Sequence, residues 1–487
     1  MAKDKPLQQQ YLGPGSSRIE LAPSDFIKGM STSNFSEDAG YSNSSSGIDI
    51  FSLPGVIRGS VPLNQISSTS GTWVACSETV AINSAAYRIV LNSNGTLYGI
   101  GYDGAVSSLY SDTSGNTYAR PYSDIILYGG NYYYASQNDV AQIVYSSGTV
   151  MPAWFSNTTG GSVLNSFPHP MVVFNRRLYI ADQENIRMYD PTQSTPSVIV
   201  YSGDIGTVIL AMTIDPSSGR MLVSFENQTN SGGVMDSSAW IGYYDGINPT
   251  QLLKKIEVEQ RVTAFYNVGG TIYVIYGENL GMWNGNGIIF LRKLNTKISS
   301  TTSIDRSRLS NIGNILLIAD GNNVLAYGEN VMGNKVFTNL FTAANDMTID
   351  ILTSIGTSTS SGGTGGIGYD INILGNSHVS NTTIFQATPN GTGSFVSNII
   401  NIPAKKAIMG IDVFMDQAIT TGSITMTLTD DNGTTINCGP NSSNVLTSGL
   451  KARLLFQHNT TSFQINATFS TCNAGIRRVI VYYNDYE

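Results

Sequence analysis

The chain has 487 residues, of which only 12% are charged, and its formal net charge is −8. Its basic pairs, such as Arg176–Arg177 and Lys405–Lys406, lie far apart in sequence, whereas a phosphate-binding surface needs clustered Lys and Arg. Composition and charge therefore argue against a dedicated nucleic-acid-binding protein, and they remain compatible with an acidic wall past which DNA moves without binding.

The residue types favour strands over helices. Glycine alone contributes 50 residues, Ser, Thr and Asn are abundant, and Tyr, Val and Ile recur in short runs. We find no sustained 3.6-residue apolar stripe with helix caps. Low charge together with strand-forming and turn residues predicts an all-β protein.

The first residues, MAKDKPLQQQYLGPG, contain no apolar segment of the kind that signal peptides carry. Nowhere does an apolar run approach the ~20 residues that a membrane-spanning helix needs. From the sequence we therefore expect synthesis in a cytoplasm, without a signal peptide or a transmembrane segment.

Residues 1–61 are predicted to form an extended N-terminal arm. The segment is polar and lacks a period, yet Ile19, Leu21, Phe26, Ile27 and the stretch IDIFSLPGVI provide spaced apolar anchors. We expect the arm to order by lying on the folded part of its own chain or on a neighbouring subunit. A disordered tail is the alternative.

A repeated strand–turn–strand motif occupies residues 62–345. RRLYIADQENIRMYDP is one copy and GNILLIADGNNVLAYGE is another. Six copies recur at spacings of 35 to 51 residues, with equivalent positions at Tyr98, Tyr133, Tyr179, Leu222, Tyr273 and Leu317. Units of ~40–50 residues that each form a small antiparallel sheet are typical of β-propeller blades. The motif predicts a six-bladed β-propeller, and a seventh blade that includes TSGTWVACSETVAI is the open alternative.

Beyond residue 345 the composition changes. Residues 346–370 are rich in Gly, Ser and Thr and are predicted to be a linker. Residues 371–487 contain longer alternating strands, such as AIMGIDVFM and RRVIVYYND, which predict a C-terminal β-sandwich. Within it, TMTLTDDNGTTI predicts a hairpin that turns on Asn432–Gly433 as a two-residue type I′ turn.

Aspartates recur at the ends of the repeated strands, at Asp103, Asp182, Asp190, Asp245 and Asp320. Paired carboxylates in a propeller channel would suit glycoside hydrolysis. Beside turns, however, Asp accepts hydrogen bonds from its own backbone, and this structural role is the preferred interpretation. We therefore assign no catalytic residue and predict that the protein is not an enzyme.

The histidines His169, His378 and His458 belong to no recognisable nucleophile–histidine–carboxylate order, so turn or packing roles are expected. Asp430–Gly433 lacks the ligand spacing of a calcium loop. The glycine-rich stretches are not followed by the Lys and Ser or Thr of a phosphate-binding loop. The sequence predicts neither a metal site nor a cofactor site.

Three cysteines and 26 tyrosines complete the set of candidate residues. Cys76 is expected to be a small buried residue. Cys438 and Cys472 lie in the same region, and two free thiols are favoured over a disulfide because synthesis is expected in a reducing compartment. The tyrosines suggest stacking on glycans or partner proteins, although Tyr is also a common strand residue.

The order of these parts resembles that of virion tail proteins from tailed bacteriophages. A polar arm containing FSLPGVIRGS leads into repeated sheets, and a strand-rich region ends in GIRRVIVYYNDYE. This architecture is similar to the tail nozzle proteins of short-tailed phages. The resemblance implies a structural virion protein that forms a ring, commonly of six copies. It also implies contacts with adaptor and fibre proteins and a wall along the DNA exit channel.

Two other function classes remain open on the sequence alone. The first is a receptor- or glycan-binding protein of the tail tip. The second, less favoured, is a propeller enzyme that degrades polysaccharide, which would require two carboxylates facing the same channel.

Overall fold

A computed structural model of the protein describes residues 17–21, 42–51, 55–60, 63–70, 73–82, 85–92, 94–101, 106–111, 125–135, 138–159, 164–165, 169–190, 196–227, 230–231, 234–235, 238–247, 251–295, 308–329, 333–342, 347–355, 370–377, 381–387, 391–402, 406–439 and 444–485. Within these ranges the chain is almost entirely β-strand, and the helix that they contain is α1 (Trp154–Thr158). The prediction of an all-β protein is confirmed. Among the described residues, none of the helical structure is long and apolar enough to cross a membrane.

The N-terminal region contributes short strands that pair with distant parts of the chain. They are β1 (Ser17–Leu21), β2 (Ser42–Ser46), β3 (Ile48–Asp49) and β4 (Arg58–Gly59), followed by β5 (Leu63–Ser70).

Sheets 1 to 3 follow in chain order, each with four antiparallel strands. Sheet 1 contains β6 (Trp73–Ile82), β7 (Ala85–Asn92), β8 (Thr96–Gly101) and β9 (Val106–Ser111). Sheet 2 contains β10 (Ile125–Tyr128), β11 (Asn131–Ala135), β12 (Val140–Ile143) and β13 (Val150–Met151). Sheet 3 contains β14 (Met171–Phe174), β15 (Arg177–Asp182), β16 (Asn185–Tyr189) and β17 (Ser197–Ser202).

Sheets 4 to 6 repeat this pattern. Sheet 4 contains β18 (Thr207–Asp215), β19 (Arg220–Asn227), β22 (Ala239–Tyr244) and β23 (Lys254–Val258), and the small hairpin β20 (Asn230–Ser231) and β21 (Val234–Met235) is inserted in it. Sheet 5 contains β24 (Val262–Val268), β25 (Thr271–Tyr276), β26 (Asn279–Trp283) and β27 (Ile288–Lys293). Sheet 6 contains β28 (Leu309–Ile312), β29 (Ile315–Asp320), β30 (Asn323–Glu329) and β31 (Lys335–Thr342).

Sheet 7 is assembled from two distant parts of the chain. It contains β32 (Met347–Ile355), β33 (Asp370–Ser377) and β34 (Asn381–Ala387), and β5 from the N-terminal region pairs with β34 as the fourth strand. The first strand of each sheet contacts the first strand of the next, and β32 of sheet 7 contacts β6 of sheet 1. The series of sheets therefore closes on itself.

The second strands of sheets 2 to 6 are buried on both faces, because each sheet packs between two neighbours. In β15 and β29 all residues after the first are buried, which fits the nearly continuous apolar runs RLYIAD and ILLIAD. Neighbouring sheets share hydrophobic clusters: sheets 2 and 3 share one around Tyr133 and Leu178, and sheets 4 and 5 share one around Leu222 and Val274. Packing against neighbours is what stabilises sheets that could not bury two faces alone.

Two further sheets enclose a common core at the C-terminal end, and we call them the two-sheet unit. Sheet A consists of β1, β43 (Ile476–Asp485), β37 (Lys406–Ile419) and β41 (Gly449–Asn459). Sheet B consists of β2, β35 (Gly391–Ser397), β42 (Ser462–Cys472), β38 (Ser423–Asp430) and β39 (Thr435–Asn437), with β36 (Ile400–Asn401) and β40 (Val445–Leu446) paired at its sides. Their inner faces form one buried cluster that includes Ile411 and Val481 from sheet A and Met426 and Ile465 from sheet B.

The structure differs from the predicted boundaries after residue 345. The predicted linker, residues 346–370, begins with β32, and residues 371–387 contribute to sheet 7 instead of to the C-terminal strands. The physical reason is that β5 supplies the fourth strand from more than 300 residues upstream. Local composition carries no information on such a pairing.

The predicted hairpin turn also needs correction. Asp430 and Thr434 close the loop, so three residues, 431–433, separate the strands where the two-residue turn Asn432–Gly433 was predicted. The N–H of Gly433 donates to the carbonyl of Asp430 at 3.0 Å, and Gly433 has a φ of 78°. This is a type I turn followed by a left-handed glycine, the usual geometry of three-residue hairpin loops.

Candidate functional site

Asp182 and Asp320 occupy the same place in their repeats, at the end of the second strand, and both are fully buried. Asp182 accepts hydrogen bonds from the N–H of Asn165 and from Nε of Arg187, each at 2.7 Å. Asp320 accepts them from the backbone N–H of Asn295 and from its side-chain amide, the latter at 2.9 Å. Each carboxylate thus binds the loop that arrives from the preceding sheet.

The residues next to these aspartates repeat as well. Nδ1 of His169 donates to the carbonyl of Ala181 at 2.7 Å, and Nη2 of Arg308 donates to the carbonyl of Ala319 at 3.0 Å. His169 and Arg308 are both buried at the entrance to the first strand of their sheet. The expected packing role of His169 fits this position.

The turn after each aspartate holds the following sheet. The carbonyl of Gln183 accepts the N–H of Ile209 at 2.9 Å, and the carbonyl of Gly321 accepts the N–H of Ile349 at 2.8 Å. Ile209 and Ile349 belong to the first strands of sheets 4 and 7. The repeated aspartate, its turn and these backbone bonds therefore form one joint between successive sheets.

Burial raises the pKa of Asp320, and the hydrogen bonds from Asn295 together with the charges of Arg292 and Arg308 do not cancel this effect. A raised pKa is also a property of many catalytic acids. Here the carboxylate is closed off from solvent and saturated by Asn295, so we interpret the shift as a consequence of its structural position.

The other recurring aspartates have similar local roles. Asp190 pairs with Nε of Arg177 at 3.0 Å, and Asp245 accepts the N–H of Ile247 at 2.8 Å in a turn. Asp103 lies outside the described residues. Across the described ranges, no group of three or more His, Cys, Asp or Glu side chains is placed to hold a metal ion.

We expect Asp182→Ala to lower the free energy of unfolding by about 2 kcal/mol, because it removes the buried acceptor of the Asn165 N–H and the Arg187 guanidinium. Asp204→Ala, at an exposed loop position, is the matched control and should change it by less than about 0.5 kcal/mol. Urea unfolding followed by tryptophan fluorescence measures both. Equal effects of the two substitutions would contradict the claim that Asp182 stabilises the joint between successive sheets.

His458 lies at one end of the two-sheet unit, beside the hairpin turn. Its Nε2 is 3.0 Å from Oδ2 of Asp430, and Asp430 also accepts the N–H groups of Thr434 and Asn432 at 2.7 and 3.0 Å. The N–H of Thr434 lowers the pKa of Asp430, with a smaller contribution from His458. The turn uses the carboxylate for its own backbone, which supports the hairpin interpretation over a calcium loop. His378 lies outside the described residues.

The cysteines are free thiols. Cys438 and Cys472 are buried in the core of the two-sheet unit, and burial raises the pKa of both; Cys76 is half-buried. The favoured prediction of two free thiols is consistent with this arrangement.

We predict three reactive thiols per chain after unfolding in guanidinium without reductant, measured with Ellman's reagent. In the folded protein, Cys438 and Cys472 should react at least about 100-fold more slowly than a free thiol, since the thiolate is the nucleophile and burial disfavours it. A titre of one thiol after unfolding would instead indicate a disulfide.

Many of the tyrosines that suggested glycan stacking lie in the core. Tyr134, Tyr179 and Tyr244 are among the largest fully buried side chains. Burial raises the pKa of Tyr273 to about 12. Tyr482 and Tyr483 near the C-terminus are half-buried. These positions favour the strand-packing role of tyrosine in this chain.

The N-terminal arm pairs with distant parts of the chain. β1 adds an antiparallel strand to β43 at the edge of sheet A, and β2 adds one to β35 at the edge of sheet B. The carbonyl and N–H of Ile57 pair with those of Ile476 at 2.8 and 2.9 Å. The described parts of the arm, residues 17–21, 42–51 and 55–60, therefore lie on their own chain, on the two-sheet unit; Phe26 and Ile27 lie outside the described residues.

Four glycines bring the arm and β35 into backbone contact. A Cβ on Gly393 would lie 1.9 Å from the carbonyl oxygen of Gly47, and a Cβ on Gly391 would lie 2.1 Å from that of Gly59. Gly47 itself has a φ of +64°, which favours glycine. No local pattern predicts this glycine contact; its signal in the sequence is the pair of glycines in NGTGSF, together with single glycines 330 or more residues upstream.

The same arm also crosses the outer strand of sheet 6. Oγ1 of Thr338 donates to the carbonyl of Ile48 at 2.9 Å, and the hydroxyls of Ser46 and Thr342 are 2.9 Å apart. Ile48 packs with Val336 in the core of the two-sheet unit. The arm thus connects sheet 6 to the two-sheet unit.

A charged cluster covers the outer face of sheet A. Asp412, with a side chain only 1% exposed, accepts two hydrogen bonds from Arg453 at 2.7 and 2.8 Å and one from Lys451 at 2.9 Å. Tyr482 donates to the same carboxylate at 3.1 Å. Burial would raise the pKa of Asp412, but the hydrogen bonds and charges of Arg453 and Lys451 outweigh it, and the pKa is lowered.

No family model and no curated protein matches this chain. Among solved structures, a chain of a mitotic checkpoint complex aligns over 67% of this chain and 93% of its own, with 9% identity and a TM-score of 0.41. A β-propeller domain from Myceliophteria thermophila aligns over 67% of this chain and 100% of its own, with 9% identity and a TM-score of 0.42. Scores this low support no inference about function.

Proposed function

We propose that the protein is a non-enzymatic structural component of a bacteriophage tail, similar in role to the nozzle proteins that its order of parts resembles. In this proposal, sheets 1 to 7 are the blades of a seven-bladed β-propeller, and the two-sheet unit is a β-sandwich. The closed series of first-strand contacts supports the blade count, and the shared core of sheets A and B supports the sandwich.

The observation that carries the proposal is the course of the N-terminal arm. It completes both sheets of the two-sheet unit, crosses sheet 6 and then supplies β5 to sheet 7. The stretch from β1 to β5 thereby joins the two-sheet unit to sheets 6 and 7. Such an arrangement suits a protein that must keep its shape under mechanical load, as a wall around passing DNA would.

The placement of the aspartates also supports a structural role. Asp182, Asp320 and Asp412 are buried and are used for contacts within the chain. Adaptor proteins, fibres and further copies of the chain are the proposed partners, and the proposed location is the virion tail.

Mass photometry of the purified protein tests the proposed assembly. We expect a closed ring of several copies of the 52.2 kDa chain, with six as the number that the resemblance implies. A trimer would favour the receptor-binding alternative, because fibres and spikes are commonly trimeric. A monomer at micromolar concentration would contradict the ring.

Mass spectrometry of gradient-purified phage particles tests whether the chain is located in the virion tail. The chain should be present at a fixed ratio to other tail proteins, and its absence from the particles would overturn the proposed role. A glycan array with the isolated protein distinguishes the structural role from the glycan-binding alternative. The structural role predicts no specific glycan signal, whereas a glycan-binding protein should give one.

A further inference from the structure

The fourth strands of sheets 1, 3, 5 and 6 share one irregularity. β9, β17, β27 and β31 each carry a bulge at the same place in their pairing with the third strand. The two residues before the bulge are Ser107 and Ser108 in sheet 1, Val198 and Ile199 in sheet 3, Ile289 and Phe290 in sheet 5, and Thr338 and Asn339 in sheet 6. These pairs can therefore be compared position by position.

In sheets 5 and 6 the burial of this pair is opposite to its polarity. In sheet 6 the polar pair Thr338 and Asn339 is 2% and 7% exposed, because the arm lies over it. In sheet 5 the apolar pair Ile289 and Phe290 is 43% and 58% exposed. Exposed large apolar side chains grouped at one place commonly mark a binding surface.

Among the described residues, no strand pairs with β27 on the side away from β26. Within the described part of the chain, β27 pairs with β26 alone and forms the edge of sheet 5. Its sequence, IIFLRK, contains no proline, and its charges are confined to one end. Proteins usually protect such an edge by charge, proline or a covering segment, and the arm does this for sheet 6.

Positive charges flank the apolar pair. Nζ of Lys254 donates to the carbonyl of Gly285 at 3.1 Å, in the turn that leads into β27. Arg292 and Lys293 lie at the other end of the strand; Lys293 pairs with Glu278 at 3.3 Å. Nε of Arg292 is buried without a hydrogen-bond partner. The edge is therefore apolar in its middle and has basic side chains at both ends, of which Lys293 is paired with Glu278.

We propose that the outer edge of β27 binds an extended segment of a partner protein as an added antiparallel strand, with apolar side chains against Ile289 and Phe290 and acidic side chains at its ends. Backbone pairing would provide the affinity, and the apolar pair and flanking charges would provide the specificity. The chain gives a partial precedent for covering such a strand, because Oγ1 of Thr338 in β31 donates to the carbonyl of Ile48 in the arm, and Phe51 packs against the core of sheet 6. The inference goes beyond the proposed virion role and does not depend on it.

A seven-residue peptide of alternating Ile, Thr and Val with glutamate at each end serves as the binding probe, and the same peptide with lysine at each end is its control. Fluorescence anisotropy with the full chain should detect the glutamate peptide with a Kd on the order of 100 μM. The lysine peptide should bind at least about 10-fold more weakly, because it repels the cations at both ends of β27.

The double substitution Ile289→Ser with Phe290→Ser should raise the Kd for the glutamate peptide at least about 10-fold. The control, Val198→Ser with Ile199→Ser on sheet 3, should leave this Kd unchanged. Both pairs are exposed, so the thermal midpoints of the two variants should stay close to that of the unaltered protein. Three outcomes would overturn the proposal. They are equal binding by both double variants, no binding up to about 2 mM peptide, or self-association of the free protein that Phe290→Ser abolishes.

Discussion

Gly393→Ala is expected to destabilise the two-sheet unit by about 3 kcal/mol, because the added methyl group meets backbone that cannot rotate away. The new Cβ would lie 1.9 Å from the carbonyl oxygen of Gly47 and 2.7 Å from that of Ser46. Either the arm moves off β35 or the strand bends. Both responses break the backbone contact that attaches the arm to sheet B.

Gly287→Ala is the matched control, since a Cβ at that position meets nothing within 4 Å. We expect its thermal midpoint to remain within about 2 °C of that of the unaltered protein, against a fall of several degrees for Gly393→Ala. Limited proteolysis gives a second measurement, because a released arm should be cleaved before the rest of the chain. Equal midpoints and equal cleavage for the two variants would show that the arm is not held by the glycine contact.

Asp412→Ala is expected to lower the free energy of unfolding by about 3 kcal/mol at neutral pH. The substitution removes the acceptor that Arg453 and Lys451 share on the outer face of sheet A. The Arg453 and Lys451 side chains are 35% and 44% exposed, and solvation of these cations keeps the loss at the lower end of the range for buried pairs. Glu278→Ala is the control. Its pair with Lys293 is exposed on both sides, and the expected loss is less than about 0.5 kcal/mol.

The effect of Asp412→Ala should depend on pH in a defined direction. The pKa of Asp412 is lower in the folded protein than in the unfolded chain, where it is about 3.9. Its contribution to stability is therefore complete above pH ~4–5 and is lost as the pH falls through the folded-state pKa. The difference between the urea midpoints of the two proteins should shrink as the pH falls below about 4. A constant difference from pH 7 down to pH 2 would contradict the role of the ionised carboxylate.

Local patterns were sufficient where the structure is local. The strand–turn–strand motif RRLYIADQENIRMYDP corresponds to β15 and β16, and Asp182 closes the first of these strands as its turn position implied. Alternation in SITMTLTD corresponds to a strand that is buried on every second residue. Such features depend on residues within one strand or one hairpin, which a sequence displays directly.

The same patterns could not reveal which hydrogen bonds Asp182 makes. Its partner Asn165 lies in the loop from the preceding sheet, and that contact exists only once sheets 2 and 3 have packed. Asp412 is a similar case, because Arg453 becomes its partner through the register of β37 with β41. The residue types indicated which side chains could form buried hydrogen bonds. Strand register and sheet packing decided which residues became their partners.

The sequence by itself determined that this is an all-β protein built from repeated hairpins, since composition and period-two alternation are properties of single strands. Tertiary structure alone decided the closure by β5, the attachment of the arm to the two-sheet unit and the open edge at Ile289 and Phe290. The reason is physical. Pairing between strands hundreds of residues apart depends on which edges remain free after the nearer strands have folded, and no local pattern encodes that competition.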